Sequence, residues 1–260
     1  MERYLYTNTF TEKEAPDYLC PRCNKGLLRL NKDTLKSVET VDSKLYQRNE
    51  YSEFQDMQIT FNCMFKCIND KCGEVVACIG YAGVDIECAV NYDNFSQPNE
   101  YYTYYKPLFF YPNLKLITIP KDTPDDIKKL LNKSFELFFT SPSAAANLVR
   151  ISIEEILTDQ GVNLYSKKDI SKKISLHSRI EEHLPDKYQT IKEHLEAVKW
   201  LGNAGSHSDN ELSLNDTMDA YELVEYILLQ VYAPPTDNLN TLAQDINQSR
   251  GPIKNRRLSN

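Results

Sequence analysis

The side chains most suited to chemistry in this chain are its seven cysteines, all of which lie between Cys20 and Cys88. Cys20 and Cys23 are separated by two residues, and Cys67 and Cys72 by four. Each pair suits a turn that presents two sulfur atoms to one tetrahedral ion. We therefore predict a Zn²⁺ ion bound by these two pairs. Its role would be structural, because four protein ligands leave no position for water or substrate.

The remaining cysteines are interpreted as packing residues. Cys63 lies four residues before Cys67 and competes with it as a ligand on spacing alone. We nevertheless interpret Cys63, Cys78 and Cys88 as small buried hydrophobic residues in strands. An odd cysteine count that includes a Cys-x-x-Cys pair is more typical of metal binding in a reducing compartment than of a disulfide framework.

Two segments predicted to be helical contain the other candidate functional residues. Arg150 and Glu154 are four residues apart, so they share a helix face, and Arg150 falls at the rim of an apolar stripe. The simplest interpretation is an intrahelical pair that reaches out of the core. The second segment, Val198–Asp209, ends a helix in small residues and places Asn203 near His207. Its structural interpretation is that Asn203 caps the helix end and His207 bonds a carbonyl.

Composition limits the classes of protein. The 260 residues carry 37 acidic and 30 basic side chains, a formal charge of −7, and are 41% hydrophobic. This profile is typical of a globular protein. No run of about 18 apolar residues and no leader pattern are visible, so we expect a cytoplasmic protein with no membrane partner. The negative charge argues against wholesale nucleic-acid binding, although a local basic patch remains compatible with it.

The order of sequence patterns predicts an α+β protein. Residues 1–120 are expected to form an antiparallel β domain, 121–235 a helical bundle, and 236–260 a flexible basic tail. Residues 58–65 and 74–81 alternate as half-buried strands do. The stretch rich in tyrosine and proline that follows predicts an extended or edge segment leading out of the sheet.

Five helices are expected after Pro120. Capping residues, prolines and glycines place them at about 123–140, 141–161, 169–183, 185–202 and 213–231. Trp200 is expected in the core or at a dimer interface. His177, His183 and His194 are expected on solvated polar faces. The tail from Ile246 onwards contains basic residues and no acid; they are Arg250, Lys254, Arg256 and Arg257.

A set of motifs, taken in order, resembles one family. The motifs are Cys20-Pro21-x-Cys23 with Cys67…Cys72-Gly73, the Tyr/Pro-rich stretch ending at Ile119-Pro120, the helix with Arg150 and Glu154, Leu176-x-x-Arg179-Ile180, and Gly202-Asn203-x-x-x-His207. Together they resemble domain of unknown function 4145, which is similar to the HEPN superfamily of helical nucleotide- and RNA-associated domains. The resemblance implies a zinc-ribbon-like front end and a HEPN-like bundle. It also implies a homodimer formed through helices and an association with bacterial restriction and anti-phage defence systems.

The resemblance also implies a site. HEPN ribonucleases carry an Arg a few residues before a His, and the reaction inferred for them needs no metal. The His moves protons and the Arg stabilises charge on the phosphate. This chain departs from the pattern, because the basic residue is Lys199, eight positions before His207, and a lysine is a point charge without the arginine fork. The candidate catalytic set is His207, Asn203, Lys199, Arg150 and Glu154.

Three functions fit these observations. The first is a zinc-stabilised, HEPN-like binding and assembly protein in bacterial anti-phage defence or restriction-associated nucleic-acid processing, for which a protein of the same operon is a candidate partner. The second is a metal-independent endoribonuclease that uses His207. The third is an accessory protein that contacts DNA phosphates through Arg22, Lys25, Arg29 and the basic tail.

Overall fold

The computed structural model of the chain describes residues 2–87, 100–166, 171–205, 211–233, 244 and 246–248. Several sequence predictions therefore lie outside the described residues. They concern the strand position of Cys88, the catalytic role of His207, the first residues of the third predicted helix, and the four basic residues of the tail.

One antiparallel sheet forms the front of the protein. Each strand pairs with its neighbours in sequence, in the order β1-β2-β3-β4-β5. The strands are Tyr18–Leu19 (β1), Leu27–Glu39 (β2), Ile59–Cys67 (β3), Val75–Glu87 (β4) and Glu100–Tyr111 (β5). Helices follow the sheet, so the α+β layout is confirmed.

Alternation along the strands divides the sheet into an inner and an outer face. In β3, Phe61, Cys63, Phe65 and Cys67 are buried, while the residues between them are exposed. Aromatic rings from β1, β5 and the N-terminal segment cover this inner face through edge-on contacts. The outer face of β3 to β5 remains open to solvent.

The longer helices occupy the second half of the chain. A short helix, α1 (Tyr4–Thr7), precedes β1, and another, α2 (Val41–Tyr46), lies between β2 and β3. The longer helices are α3 (Asp125–Leu137), α4 (Pro142–Asp159), α5 (Leu176–His183), α6 (Lys192–Ala204) and α7 (Leu214–Tyr232). The predicted start signals hold at α4, where Pro142 lies in the first turn, and at α7, where the Ser213 side chain accepts a hydrogen bond from the Asp216 N–H.

One helix prediction is wrong at its start and another is right only in part. The third helix begins at Leu176, because the Ser175 side chain caps it and residues 171–175 are not helical. The fourth begins beside Pro185 as predicted, but its first residues, Asp186–Ile191, form a 3-10 helix and the α-helix begins at Lys192.

The tyrosine-rich stretch forms β5, the edge strand of the sheet. Pro107 lies opposite Gly80, where the register shifts, and edge strands and bulges are the places where sheets tolerate proline. On the other side of β5, Phe10 and Tyr105 each donate a backbone N–H to the carbonyl of the other, at 2.9 and 2.7 Å. The N-terminal segment thus covers this part of the sheet edge.

Contacts join the sheet to the helices. Phe110 of β5 packs against Phe139, which follows α3, with ring centroids 5.0 Å apart. Arg3 reaches α7, where its guanidinium contacts Glu222 at 2.6 and 2.7 Å and Asp219 at 2.6 Å. Among the described residues, no helix combines the length and apolarity needed to cross a membrane.

Candidate metal centre and helical-domain site

The four predicted cysteine ligands meet in one cluster. Their sulfur atoms all lie within 4.8 Å of one another, and the Cys20–Cys72 and Cys23–Cys67 pairs are each 3.8 Å apart. A regular tetrahedron with metal–sulfur bonds of about 2.3 Å has edges of about 3.8 Å. The residues present therefore fit a tetrahedral metal ion, and the cluster could hold one.

Backbone turns bring the two pairs together. Cys20 and Cys23 lie in the β1–β2 turn, where Asn24 has φ of 50° and the Cys20 N–H donates to the Gly26 carbonyl at 2.9 Å. Cys67 ends β3, and Gly73 after Cys72 has φ of +62°. Glycine accepts this left-handed conformation without a steric cost. Each turn therefore closes tightly on its pair of thiols.

Gly26 makes the close approach of the two turns possible. A Cβ at this position would lie 2.6 Å from the Cys67 sulfur and 2.8 Å from the Asn69 Cβ. The positions of these glycines are visible in the sequence, since Gly26 follows Cys23 by three residues and Gly73 directly follows Cys72. The role of Gly26 in the approach of the two turns was not predicted.

Backbone N–H groups favour thiolate at one ligand. The Gly26 N–H lies 3.3 Å from the Cys23 sulfur, and hydrogen bonds from Gly26 and Lys25 lower the pKa of Cys23 to about 6. The Asn69 amide lies 3.8 Å from the same sulfur. In contrast, burial raises the pKa of Cys67. A bound cation favours the thiolate at every ligand.

Cys63 and Cys78 lie outside the cluster. They are opposite one another in β3 and β4, and each is 1% exposed. Their interpretation as buried strand residues is confirmed. Spacing made Cys63 a competitor for a ligand position. Both Cys63 and Cys67 point inward, so their position along the strand decides the question: only Cys67 lies at the end of β3, beside the turns.

The cations proposed for DNA contact at the front end are largely paired with acids. Arg29 binds Asp17 through two hydrogen bonds of 2.9 and 3.3 Å. Arg22 lies 3.6 Å from Glu74. All three cations are exposed, but these partners weaken the attraction of both arginines for phosphate, and among the described residues Lys25 has no carboxylate partner.

In the helical domain, Arg150 and Glu154 form the predicted pair. The Arg150 guanidinium donates to Glu154 at 2.6 Å and to the Asn147 side chain at 3.1 Å, and Lys173 reaches the second Glu154 oxygen at 3.1 Å. Burial alone would raise the pKa of Glu154, but the hydrogen bonds from Lys173 and Arg150 leave it below its ordinary value. The carboxylate is thus held ionised between two cations. Lys173 was not predicted.

Lys199 is enclosed differently. The residue is 4% exposed, and its ammonium lies 3.1 Å from Nδ1 of His177 on α5 and 4.2 Å from the centre of the Trp200 ring. Because an ammonium only donates, the His177 Nδ1 accepts this hydrogen bond. Trp200 is 62% exposed, so of its two predicted places the core is wrong, while the dimer interface stays a prediction. His194 is half-buried against the Tyr226 ring and is not solvated as predicted.

The structure brings Arg150 next to the end of α6. A Cβ at Gly202 would lie 2.3 Å from the Arg150 Cβ, so the two helices approach closely at this glycine. Asn203 is the next residue and is half-buried. Arg150, Glu154 and Asn203 are therefore on adjoining elements, whereas Lys199 is directed towards α5. His207 lies outside the described residues.

Arg179 is a buried cation whose role the sequence did not reveal. It is fully buried, and its guanidinium donates to the Glu154 carbonyl at 3.0 Å, to the Thr158 hydroxyl at 2.8 Å and to the Val162 carbonyl at 2.9 Å. These acceptors lie in the last two turns of α4 and just beyond its end. Desolvation lowers the pKa of Arg179. Arg179 therefore anchors α5 to the end of α4.

Fold and site together define a two-part α+β protein, in which a sheet with a four-cysteine cluster precedes a helical domain. Residues 132–249 match the family model described as "Domain of unknown function (DUF4145)", and residues 8–110 match "Domain of unknown function (DUF8608)". The resemblance to domain of unknown function 4145 is thus confirmed over the helical part, while the cysteine motifs fall within the second family model. The comparisons with curated proteins and with solved structures found no match.

Proposed function

We propose that this chain is a zinc-stabilised binding and assembly protein. In this proposal its HEPN-like helical domain acts in bacterial anti-phage defence or restriction-associated nucleic-acid processing, as a cytoplasmic homodimer. The observation that carries the proposal is the four-cysteine cluster, whose sulfur spacing fits a tetrahedral ion. Four thiolates complete the coordination of Zn²⁺, which assigns the ion a structural and not a catalytic role.

The internal pairing of the helical-domain cations supports a binding role over catalysis. Arg150 is neutralised by Glu154, and Lys199 donates to His177. A cation held in this way has less charge to offer a phosphate, and releasing it costs the interaction with its partner. The cations of the candidate catalytic set therefore interact with partners inside the fold and not with a ligand.

Elemental analysis of freshly purified full-length protein tests the zinc assignment. We expect about one equivalent of Zn²⁺ per chain, because structural four-thiolate sites bind tightly. Less than about half an equivalent would overturn it. Light scattering tests the assembly, which requires a mass near twice the 30.1 kDa of the chain. A monomer at micromolar concentration would contradict the homodimer.

A second candidate function is a metal-independent endoribonuclease that uses His207. It is favoured by the close approach of α4 and α6 at Gly202, which puts Arg150 beside the residue that precedes Asn203. In that arrangement, Arg150 would stabilise charge on a phosphate and His207 would move protons.

RNA cleavage in the presence of a metal chelator decides between the two functions. If His207→Ala abolishes cleavage while the exposed control His183→Ala retains it, the binding role alone is insufficient. If the wild-type protein does not cleave single-stranded RNA, the endoribonuclease candidate fails and the binding role stands.

A further inference from the structure

The outer face of the sheet is an aromatic and aliphatic surface that no described element covers. Cross-strand partners point to the same face, so the register places their side chains in rows. Tyr111 lies opposite Ala77, Phe109 opposite Ile79, and Lys106 opposite Tyr81. The exposed fractions are 69% for Tyr111, 39% for Phe109, 48% for Ile79 and 40% for Tyr81. We call these rows, with the β2 and β3 residues in register with them, the outer face.

Lysines border the aromatic rows. Lys66 is opposite Val75, and Lys36 is opposite Asn62, which is itself paired with Ile79. Lys106 extends over the Tyr81 ring, with Nζ 5.6 Å from its centre. Among the described residues, none of these three lysines forms an ion pair with a carboxylate.

The part of the outer face that carries the aromatic rows thus has the opposite charge to the chain as a whole. The formal charge of the protein is −7, yet three lysines without a carboxylate partner among the described residues lie there beside aromatic rings. The acids in register on the same side of the sheet lie beyond these rows, at the far end of β4, where Asp85 is opposite Tyr102 and Glu87 is opposite Glu100. A local cationic surface on an acidic protein selects an anionic ligand.

The combination of rings and lysines identifies the kind of anion. Bases of single strands stack on exposed aromatic side chains, and lysines contact the phosphates between them. A duplex buries the faces of its bases, so it gains only the phosphate contacts. A protein partner would cover the apolar rows, but three lysines without carboxylate partners favour a ligand that supplies its own negative charge along its length.

We propose that the outer face binds single-stranded nucleic acid. Bases stack on an aromatic set consisting of Tyr81, Phe109 and Tyr111, and phosphates contact a lysine set consisting of Lys36, Lys66 and Lys106. This goes beyond the proposed function, since it assigns a ligand class to a surface distinct from both the cysteine cluster and the helical-domain site. It needs the sheet to be folded but does not need the metal to be zinc.

Fluorescence anisotropy of full-length protein with labelled dT20, U20 and a 20-base-pair duplex tests the proposal. We expect dT20 and U20 to bind more tightly than the duplex at equal salt. Phe109→Ala combined with Tyr111→Ala should weaken binding of dT20 at least about tenfold, because each stacked base contributes substantially to affinity. Zinc content and the circular dichroism spectrum of each variant report whether the sheet is intact.

Salt dependence provides an independent test of the lysine set. Substituting its three members with Gln should reduce the slope of log affinity against log salt for dT20 by about 2, as expected for three lost contacts to a single strand. The matched control substitutes three exposed lysines of the helical part with Gln and changes the net charge equally; they are Lys121, Lys129 and Lys133.

The outcomes are decisive. If a protein with a full equivalent of zinc fails to bind dT20 and U20 at 50 mM salt, the proposal is overturned while the zinc assignment stands. Equal losses in the lysine-set variant and its charge-matched control would also overturn it, since they would reflect net charge alone. Capture of a protein partner through the outer face, without oligonucleotide binding, would replace it.

Discussion

The helical domain turns several of its cationic side chains inward, whereas the outer face of the sheet leaves its lysines in water. Arg179 is fully buried and binds the end of α4, and Lys199 is 4% exposed beside His177. Lys36 and Lys66 are exposed and have no carboxylate partner among the described residues. The number of basic residues in a region therefore does not indicate where a polyanion binds. What matters is whether each basic side chain already has a partner within the fold.

The two regions also differ in what holds them together. The helical domain has a continuous apolar core with α4 packed against α3, α6 and α7. The sheet has one open face and a cysteine cluster at its end. We therefore expect loss of the metal to affect the sheet, and changes to buried cations to affect the helices.

The largest effect is expected from Cys67→Ser. Removing one of four thiolates should abolish stoichiometric zinc binding, and with it a free energy of several kcal/mol that structural zinc contributes to folding. Thermal unfolding and zinc content measure the effect. Cys63→Ser is the matched control, because it lies in the same strand and is equally buried but outside the cluster. Similar losses of zinc in both variants would contradict the assigned ligand set.

An intermediate effect is expected from Arg179→Met. The substitution keeps much of the apolar stem but removes the guanidinium donor from the buried Val162 carbonyl and from the Glu154 carbonyl, which keeps the Thr158 hydroxyl as a donor. The loss should cost about 2 kcal/mol. Urea unfolding followed by the helical circular dichroism signal measures this cost. Zinc content should not change. Loss of zinc together with the helical signal would contradict the expectation that changes to buried cations affect the helices and leave the sheet intact.

A smaller effect depends on pH and involves Glu154. Its pKa is lowered in the folded protein, so its stabilising contribution is present above the ordinary glutamate value of about 4.3 and is lost as pH falls through the lowered pKa. Glu154→Gln should cost about 1 kcal/mol at pH 7, and this cost should shrink as the pH falls below the ordinary glutamate value and through the lowered pKa. Urea midpoints measured across this range test the prediction; parallel curves for the two proteins would contradict it.

The smallest effect is expected from Arg3→Ala, which removes the link between the N-terminal segment and α7. Arg3 and its two acidic partners are partly exposed, so the loss should be about 1 kcal/mol or less and should shrink further in high salt. Thermal unfolding at low and high salt measures it. A larger loss that does not depend on salt would mean that Arg3 acts through packing and not through charge.

Local signals made much of the fold predictable from sequence. Strand alternation in β3, the proline at the start of α4 and the Ser213 cap of α7 act within a few residues, and so does the spacing of the two cysteine pairs. The start of α5 was missed because the hydroxyl of Ser175 caps the helix where apolar periodicity alone would have extended it.

Contacts distant in sequence were not predictable. Nothing local marks Arg179 as a buried anchor for α4, since its acceptors lie 17 to 25 residues away. The outer face was missed for the same reason, because Lys36, Lys66 and Lys106 come together only through the register of four strands. The core, one of the two predicted places for Trp200, is wrong because apolar periodicity does not show that the ring lies exposed against the Lys199 ammonium.

The pairing of Phe10 with Tyr105 has a consequence for the behaviour of the protein at high concentration. β5 is an edge strand rich in aromatic residues, and an open edge of this composition is a template for pairing with another chain. The Phe10 backbone occupies the hydrogen-bonding groups of Tyr105 in the middle of that edge. The N-terminal segment therefore protects this edge against pairing with another chain. We expect a shortened protein that lacks the segment to expose β5 and to aggregate through it.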